Sequence, residues 1–312
     1  VRKVTRVLDK KPVFGLFGQS QAGKSYLAHI ILSNAVSNLT IDLGSDSADF
    51  LNDINPSGQG REATGVVTRF TVDPVQDSQF PIVSRFLTLE DVCLVLCKSY
   101  YLNLQGPAID ASIIEDRVKE VEGQLESFGR AGALPNEELR FYLQDLEGSL
   151  TRFFDAYNHH WETLENSGFW KLCAQYLAPL SHHPKLFARL MSLLWMDHEG
   201  LTSVAEQLFG ALNTLGWAER GLLRGDAVDR YRGAIIDVKT LYEIDSDETL
   251  DVKCDGTIQQ INQGALSALT KEVVLSIKFD SVAEDSYLNR ADILDFPGAR
   301  SAIDRAEAEE KI

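Results

Sequence analysis

The spacing of hydrophobic positions changes twice along the chain, and each change predicts a different kind of structure. Residues 13–17 form a short apolar run typical of a buried strand, and apolar positions over 26–37 recur as in a helix. The stretches 39–43 and 66–72 alternate or are rich in β-branched residues, as strands are. Between them, residues 44–64 are rich in Ser, Asp, Asn, Gly and Pro, and so long an irregular segment in a compact domain is typical of a functional loop.

The middle of the chain, residues 87–231, is predicted to be an all-helical insertion. Apolar positions recur every three or four residues, which predicts helices over 109–128, 136–165, 168–179, 184–198 and 203–215. Ser203 followed by Glu206 predicts a capping box at the start of the last of these helices. Aromatic residues at helical spacing are predicted to pack between helices: Phe153, Phe154, Tyr157, Trp161, Phe169 and Trp170.

Strand patterns return in the last part of the chain. Residues 235–242 and 272–279 have strand-like runs, and residues 291–295 form a short apolar strand that ends in an acid. We therefore predict an α/β fold in which residues 1–86 and 232–312 build one sheet domain flanked by helices, interrupted by the helical insertion.

The net charge narrows the classes of partner. The chain carries 30 Lys and Arg against 46 Asp and Glu, a formal charge of −16, which argues against nucleic acid and against electrostatic docking on an anionic membrane. No apolar run approaches the roughly 18 residues of a membrane helix, and no signal-peptide pattern opens the chain. We expect a cytoplasmic protein, with peripheral membrane attachment or delivery as an effector left open.

The cysteines and histidines lack a recognised metal-binding spacing. No Cys-x-x-Cys or Cys-x-x-His pattern occurs, and the His-His pairs at 159–160 and 182–183 have no carboxylate or cysteine at ligand spacing. Buried free thiols are therefore predicted at Cys93, Cys97, Cys173 and Cys254.

Residues 18–25, Gly-Gln-Ser-Gln-Ala-Gly-Lys-Ser, fit the phosphate-binding pattern G-x-x-x-x-G-K-[ST] between a predicted strand and a predicted helix. The glycines let backbone N–H groups close around phosphate oxygens, and the loop leads into the positive end of a helix. Lys24 is expected to hold the β- and γ-phosphates, and the Ser25 hydroxyl is a hard oxygen ligand for Mg²⁺. The predicted nucleotide-binding residues in this segment are Gly18, Gln19, Ser20, Gln21, Ala22, Gly23, Lys24, Ser25 and Tyr26.

A second motif, Asp295-Phe296-Pro297-Gly298, follows the last apolar strand. In P-loop NTPases a carboxylate at the end of such a strand holds Mg²⁺, and the N–H of a glycine three residues on bonds the γ-phosphate. Asp and Gly also end strands as ordinary turn formers, so the motif is informative only together with the phosphate loop. We predict that Asp295 contributes to metal and nucleotide binding and that Gly298 contacts the γ-phosphate.

A threonine beside the long polar loop is a third candidate. A nucleotide switch needs a hydroxyl that completes the Mg²⁺ shell only when the triphosphate is bound. Thr68 is the first candidate and Thr64 the second, and the alternative for Thr68 is a plain strand residue, which its β-branching suits. Arg61 and Arg69 are candidates for an arginine finger supplied in cis, with a solvated or structural arginine as the alternative.

The segments QSQAGKSYL, GVVTRF and DFPG together resemble the dynamin-like large GTPases. That group carries a similar phosphate loop, a G-[IV]-V-T-R switch segment and D-x-P-G. The resemblance implies a catalytic set of Lys24, Thr68 and Gly298, and an Mg²⁺ site of Ser25, Thr68 and Asp295. Thr68 would be the switch I threonine.

Longer segments, GLFGQSQAGKSYL, DFLNDINPSGQGREATGVVTRFT and ILDFPGARS, resemble the SrfC-type bacterial virulence factors over residues 12–72 and 291–302. Two features depart from the dynamin pattern. Ser20 and Gln21 are exchanged relative to the usual Gln-Ser-Ala-Gly-Lys-Ser, and the helical block interrupts the nucleotide domain. Membrane tubulation therefore does not follow from the shared motifs.

These features predict an Mg²⁺-dependent nucleoside-triphosphate hydrolase or switch that binds GTP by resemblance, with protein partners or self-association. The alternative is a nucleotide-gated protein-interaction module with negligible turnover. A membrane-remodelling protein is a third, weaker alternative, against which the acidic charge counts. No N-K-x-D segment occurs, so ATP stays open as the nucleotide. Either the chain is part of a longer protein or the base is recognised in another way.

Overall fold

A computed structural model describes residues 11–18, 23–32, 39–54, 66–104, 109–129, 132–153, 158–229, 235–236, 247–278 and 287–297. The chain divides into two compact units. The sheet unit comprises residues 1–86 and 220–312, and the helical unit comprises residues 87–219.

The described part of the sheet unit is a mixed α/β structure with ten strands. They are β1 (Val13–Leu16), β2 (Thr40–Asp42), β3 (Ser47–Asp49), β4 (Val67–Thr71), β5 (Ile82–Phe86), β6 (Arg220–Leu223), β7 (Thr249–Cys254), β8 (Thr257–Asn262), β9 (Thr270–Ser276) and β10 (Asp292–Asp295). Eight of these form one sheet in the order β1-β10-β4-β9-β5-β6-β7-β8, and β2 and β3 form a separate antiparallel pair. The β1–β10 and β4–β9 pairs are parallel, and the other pairs of the large sheet are antiparallel.

The described part of this unit contains two α-helices: α1 (Lys24–Leu32) follows β1, and α10 (Gln263–Leu269) follows β8. The residue before α1, Gly23, has φ +81°, a conformation that glycine adopts without the steric cost of a Cβ atom. Apolar side chains on α1 and β4, including Ala28, Leu32 and Phe70, are buried in the core. The Phe70 ring packs edge-on against Phe50 with centroids 4.9 Å apart.

The first strand differs from its prediction. The apolar run over 13–17 predicts a buried strand, but β1 lies at the edge of the described sheet, and Phe14 is 58% exposed. The physical reason is that β10 is the one neighbour of β1 among the described residues. Three apolar side chains of the adjacent helix, Tyr26, Leu27 and Ile30, are also exposed.

The helical unit contains α2 (Leu89–Lys98), α3 (Ala111–Phe128), α4 (Leu139–Phe153), α5 (Asn158–Asn166), α6 (Phe169–Gln175), α7 (Leu177–His182), α8 (Pro184–Met191) and α9 (Glu199–Thr214). A capping box of Thr88 and Asp91 starts α2. The buried stripe of α3 consists of Ile114, Val118, Val121 and Leu125. Because these residues recur at helical spacing, one face of α3 packs inward and the other remains polar. No helix in the described ranges is long and apolar enough to span a bilayer.

The predicted end of the helical insertion at residue 231 is wrong. The helical unit ends at Glu219, and residues 220–223 form β6, which pairs with β5 and β7 in the large sheet. A four-residue strand is too short to show an alternating pattern, so its pairing depends on strands distant in sequence. Of the strand predicted over 235–242, the structure describes residues 235–236, which form a turn, and the remainder lies outside the described residues.

Candidate functional site

The carboxyl ends of two neighbouring parallel strands bring the two strongest sequence motifs together. Leu16 of β1 lies in register with Asp295 of β10, so the segments that follow both strands leave the sheet at the same edge. The segment after β1 leads to α1, whose second residue is Ser25. The Ser25 hydroxyl donates a hydrogen bond to Asp295 Oδ2 at 2.6 Å, across 270 residues of sequence.

The Asp295 carboxylate is enclosed by protein. Its residue is 1% exposed, and its Oδ1 atom has no hydrogen-bond partner among the described residues. Burial raises the pKa of Asp295, and the hydrogen bond from Ser25 and the positive charge of Lys24 reduce this increase. A buried carboxylate oxygen without a donor, next to a serine hydroxyl, fits the oxygen ligands that Mg²⁺ prefers.

The Lys24 side chain contacts the backbone of the first residue of its motif. Its Nζ donates to the backbone carbonyl oxygen of Gly18 at 3.2 Å, which joins the first and seventh positions of the motif. Tyr26, predicted to bind nucleotide, is an exposed residue of α1 whose ring stacks on His29 with centroids 6.2 Å apart. The predicted residues Gln19, Ser20, Gln21 and Ala22, like Gly298, lie outside the described residues.

The structure places Thr68 inside β4 rather than at the end of a loop. Thr68 is directly opposite Asp295 in the antiparallel β4–β10 pair, and it is 2% exposed. Residues that face each other across an antiparallel pair project their side chains to the same side of the sheet. Thr68 and Asp295 therefore share one face. The other candidates from this segment, Thr64 and Arg61, lie outside the described residues.

Arg69 is not placed as an arginine finger for this site. It follows Thr68 in β4, so its side chain projects to the opposite face of the sheet. Its guanidinium is bound there by Glu272 at 2.7 Å and by Asp292 at 3.0 Å. Burial lowers the pKa of Arg69, but the hydrogen bonds and charges of these two carboxylates outweigh burial and raise it overall.

Sequence reasoning missed an aromatic pair at the site. The rings of Phe17 and Phe296 stack with centroids 4.2 Å apart and planes 21° apart, although Phe17 is 75% exposed. Phe17 immediately precedes Gly18, and Phe296 immediately follows Asp295. A Cβ atom on Gly15 would lie 2.6 Å from the Phe17 ring and 3.1 Å from the Phe296 ring, so glycine makes room for the pair. The available signal was an aromatic residue directly before the first motif and another inside the second.

The prediction of buried free thiols is confirmed for all four cysteines. Burial raises the pKa of the Cys93, Cys97 and Cys173 thiols in the helical unit and raises that of Cys254 to about 11. Thiols of this kind are poor nucleophiles and poor metal ligands at neutral pH, because the thiolate is the reactive form. The candidate chemistry therefore lies with the oxygen ligands around Asp295.

Comparison with known proteins identifies a family for this chain. A search of curated proteins found none that matches this chain. A family model described as "Putative bacterial virulence factor" matches residues 1–311. The chain therefore belongs to the family described as "Putative bacterial virulence factor".

Proposed function

We propose that this protein is an Mg²⁺-dependent nucleoside-triphosphate hydrolase or switch, with GTP as the first candidate nucleotide. The observation that carries the proposal is the 2.6 Å hydrogen bond between Ser25 and Asp295. These residues belong to two motifs that sequence reasoning assigned to one magnesium-bound triphosphate. GTP is preferred over ATP on the resemblance to dynamin-like GTPases alone.

Each residue of the site has a defined role in this proposal. Ser25 and Asp295 would hold Mg²⁺, which neutralises charge on the β- and γ-phosphate oxygens when it is bound. Lys24 would move its ammonium group from the Gly18 carbonyl to the phosphates. The N–H group of Gly298 would bond the γ-phosphate, and the Thr68 hydroxyl would contribute to the Mg²⁺ site from β4, where Thr68 is opposite Asp295. Water is the nucleophile, and the protein contributes positioning and charge neutralisation.

The binding of Mg²⁺ and nucleotide would require the site to change its geometry. The Ser25 hydroxyl donates a hydrogen bond to Asp295 in this structure, whereas a metal ligand must direct an oxygen lone pair at the cation. Ser25 therefore has to rotate its hydroxyl away from Asp295. The Phe296 ring, directly after Asp295, stacks on Phe17, so a shift of the segment after β10 would displace the segment after β1 as well.

The decisive experiment compares two lysine variants. Nucleotide binding and phosphate release would be measured for the wild type, Lys24→Ala and Lys11→Ala, each with GTP and with ATP in the presence of Mg²⁺. Lys11 is the matched control, because its Nζ pairs with Asp73 in the same unit and lies outside the motif. We expect Lys24→Ala to lose binding and Lys11→Ala to retain it. Equal binding of both nucleotides by the wild type and Lys24→Ala would overturn the proposal.

A second candidate function is a nucleotide-gated interaction module with negligible turnover. It is favoured by the position of Arg69, whose guanidinium is held by two carboxylates on the face away from Asp295. A cis arginine finger accelerates hydrolysis about 10³–10⁵-fold where one exists, and Arg69 does not supply it. Tight nucleotide binding without phosphate release over hours would favour the module, and steady release would favour the hydrolase. Either protein would act through nucleotide-dependent contacts with other proteins or with a second copy.

A further inference from the structure

Four charged side chains form a cluster on the sheet face opposite Asp295. Arg69 Nε contacts Glu272 at 2.7 Å, and Arg69 Nη1 contacts Asp292 at 3.0 Å. Arg85 adds a longer contact to Glu272, at 3.4 Å. Two positive and two negative groups therefore balance each other in this cluster.

The cluster is built from four strands. Arg69 belongs to β4, and its carboxylate partners belong to the two strands that flank β4, Glu272 to β9 and Asp292 to β10. Arg69 itself is in register with Val274 and Leu294, so each carboxylate lies two residues along its strand on the same face. The guanidinium of Arg69 thus links three adjacent strands diagonally across the sheet.

The link lies directly behind the candidate metal site. Thr68 precedes Arg69 in β4 and faces Asp295 on the other side of the sheet. Asp292 begins β10 and Asp295 ends it. Arg69 and Asp292 are mostly buried, so their charge interaction is shielded from solvent. A displacement of Arg69 relative to β10 would carry Thr68 away from Asp295.

We propose that Arg69 is a positioning residue, whose contacts with Glu272 and Asp292 hold Thr68 of β4 opposite Asp295 of β10 in the geometry that the metal site requires. This inference rests on the proposed function, because it assigns the cluster a role in Mg²⁺ binding by Ser25 and Asp295. Arg69 itself touches neither the metal nor the nucleotide.

The pairing between β4 and β10 by itself fixes the relative position of these strands through few residue pairs. β10 has four residues, and its register with β4 comprises the pairs Ile293–Phe70, Leu294–Arg69 and Asp295–Thr68. A slip of one residue would reverse which side chains face the site. Mg²⁺ demands near-ideal octahedral geometry, so smaller displacements also weaken its binding.

Arginine suits this role better than lysine. Its planar guanidinium presents several N–H donors in a fixed arrangement, so one side chain binds carboxylates on two strands at the same time. A lysine ammonium keeps the charge but is a compact group on a flexible chain and cannot reproduce both contacts. Arg69→Lys therefore tests the geometry of the link at constant charge.

The test measures how nucleotide affinity depends on Mg²⁺ concentration for the wild type, Arg69→Lys and Arg85→Lys. Arg85 is the matched control, because it contacts Glu272 but belongs to β5, which does not adjoin β10. We expect Arg69→Lys to raise the half-saturating Mg²⁺ concentration about tenfold, the scale found for partners of metal ligands. Nucleotide affinity in EDTA should stay within about twofold, and Arg85→Lys should match the wild type in both measurements.

A second variant, Asp292→Asn, preserves side-chain size and removes one charge of the link. It is expected to raise the half-saturating Mg²⁺ concentration in the same direction, and it decides the question if Arg69→Lys does not fold. Wild-type Mg²⁺ dependence in a folded Asp292→Asn or Arg69→Lys protein would overturn the positioning role alone. A wild-type protein that binds neither GTP nor ATP would overturn the proposed function and, with it, this inference.

Discussion

Each face of the β4–β10 strand pair buries a carboxylate, but the two carboxylates receive their hydrogen bonds from different kinds of donor. On one face, Asp292 receives a hydrogen bond from the Arg69 guanidinium, whose charge it balances. On the other face, Asp295 receives its hydrogen bond from the neutral Ser25 hydroxyl, and burial raises its pKa.

This difference separates a structural carboxylate from a candidate ligand. A buried charge costs free energy unless it is paired and hydrogen-bonded. The Asp292 carboxylate has a cation in contact, so its charge is compensated within the fold. The Oδ1 atoms of both carboxylates lack a hydrogen-bond partner among the described residues, but the donor to Asp295 is the neutral Ser25 hydroxyl. A cation supplied from outside the chain would compensate this charge, as the proposed magnesium site requires.

We call the face of the β4–β10 pair that carries Thr68 and Asp295 the ligand face. The largest effect is expected when this face loses the carboxylate of Asp295. Asp295→Ala should lower Mg²⁺-dependent phosphate release about 10²–10³-fold, the scale for removing one group that stabilises transition-state charge. Asp251→Ala is the control, because Asp251 pairs with Arg224 in the same unit and lies on β7, away from β10. Phosphate release assays on both variants test the comparison, and an equal loss in both would contradict it.

A smaller effect is expected for the hydroxyl opposite Asp295. Thr68→Val keeps the β-branched shape that suits a strand and removes the hydroxyl, so hydrolysis should fall about tenfold while the fold remains. Thr71→Val makes the same change in the same strand, three residues on, where the hydroxyl accepts a hydrogen bond from the Asp73 N–H group. If the two variants turn over nucleotide at the same rate, Thr68 is a plain strand residue.

The pH dependence of stability should also distinguish the ligand face. The pKa of Asp295 is raised above its ordinary value of 3.8, so the folded state holds this proton more tightly than the unfolded state. The stability that Asp295 contributes is therefore present at low pH and lost as pH rises from about 3.8 through the raised pKa. In Mg²⁺-free buffer, Asp295→Asn should gain melting temperature relative to the wild type across this window.

The measurement is a set of thermal melts of both proteins at a series of pH values. The other carboxylates titrate in both proteins, so the difference between the two curves isolates Asp295. Mg²⁺ with nucleotide should then stabilise the wild type at neutral pH and leave Asp295→Asn unchanged. A difference that shrinks as pH rises would contradict the assigned direction.

The smallest effect concerns the aromatic pair beside the ligand face. A double-mutant cycle with Phe17→Leu and Phe296→Leu should give a coupling energy of about 0.5–1.5 kcal/mol in urea unfolding, as stacked rings do. The exposure of Phe17 favours the lower end of that range. A cycle of Phe14→Leu with Phe296→Leu is the control, with an expected coupling within about 0.3 kcal/mol. Equal coupling energies in the two cycles would show that the stack of Phe17 on Phe296 does not join the segments that follow β1 and β10.

Local sequence patterns predicted many elements correctly. Some details of these elements were predicted incorrectly. The predicted strands over 66–72 and 291–295 are confirmed as β4 and β10, and the helix over 109–128 is confirmed as α3. The predicted capping box of Ser203 and Glu206 is wrong, because α9 begins at Glu199. Its cap is the His198 side chain, which accepts a hydrogen bond from the Leu201 N–H group.

The candidate site was predictable in composition but not in geometry. Lys24, Ser25 and Asp295 were identified because each belongs to a motif whose spacing carries a chemical reason. The opposite roles of Thr68 and Arg69 could not be assigned, since adjacent strand residues differ only in the face to which they project. That face depends on how β4 pairs with β9 and β10, which lie more than 200 residues away.

The sequence by itself determined the Gly-x-x-x-x-Gly-Lys-Ser pattern at residues 18–25, strands such as β4 and β10, and the helical character of the middle block, because these depend on residues close together in the chain. Only the tertiary structure decided that Ser25 reaches Asp295, that β6 returns to the sheet and that Arg69 binds two carboxylates away from the site. The physical reason is that strand order and register are set by hydrogen bonds and packing between distant segments, which local periodicity does not encode.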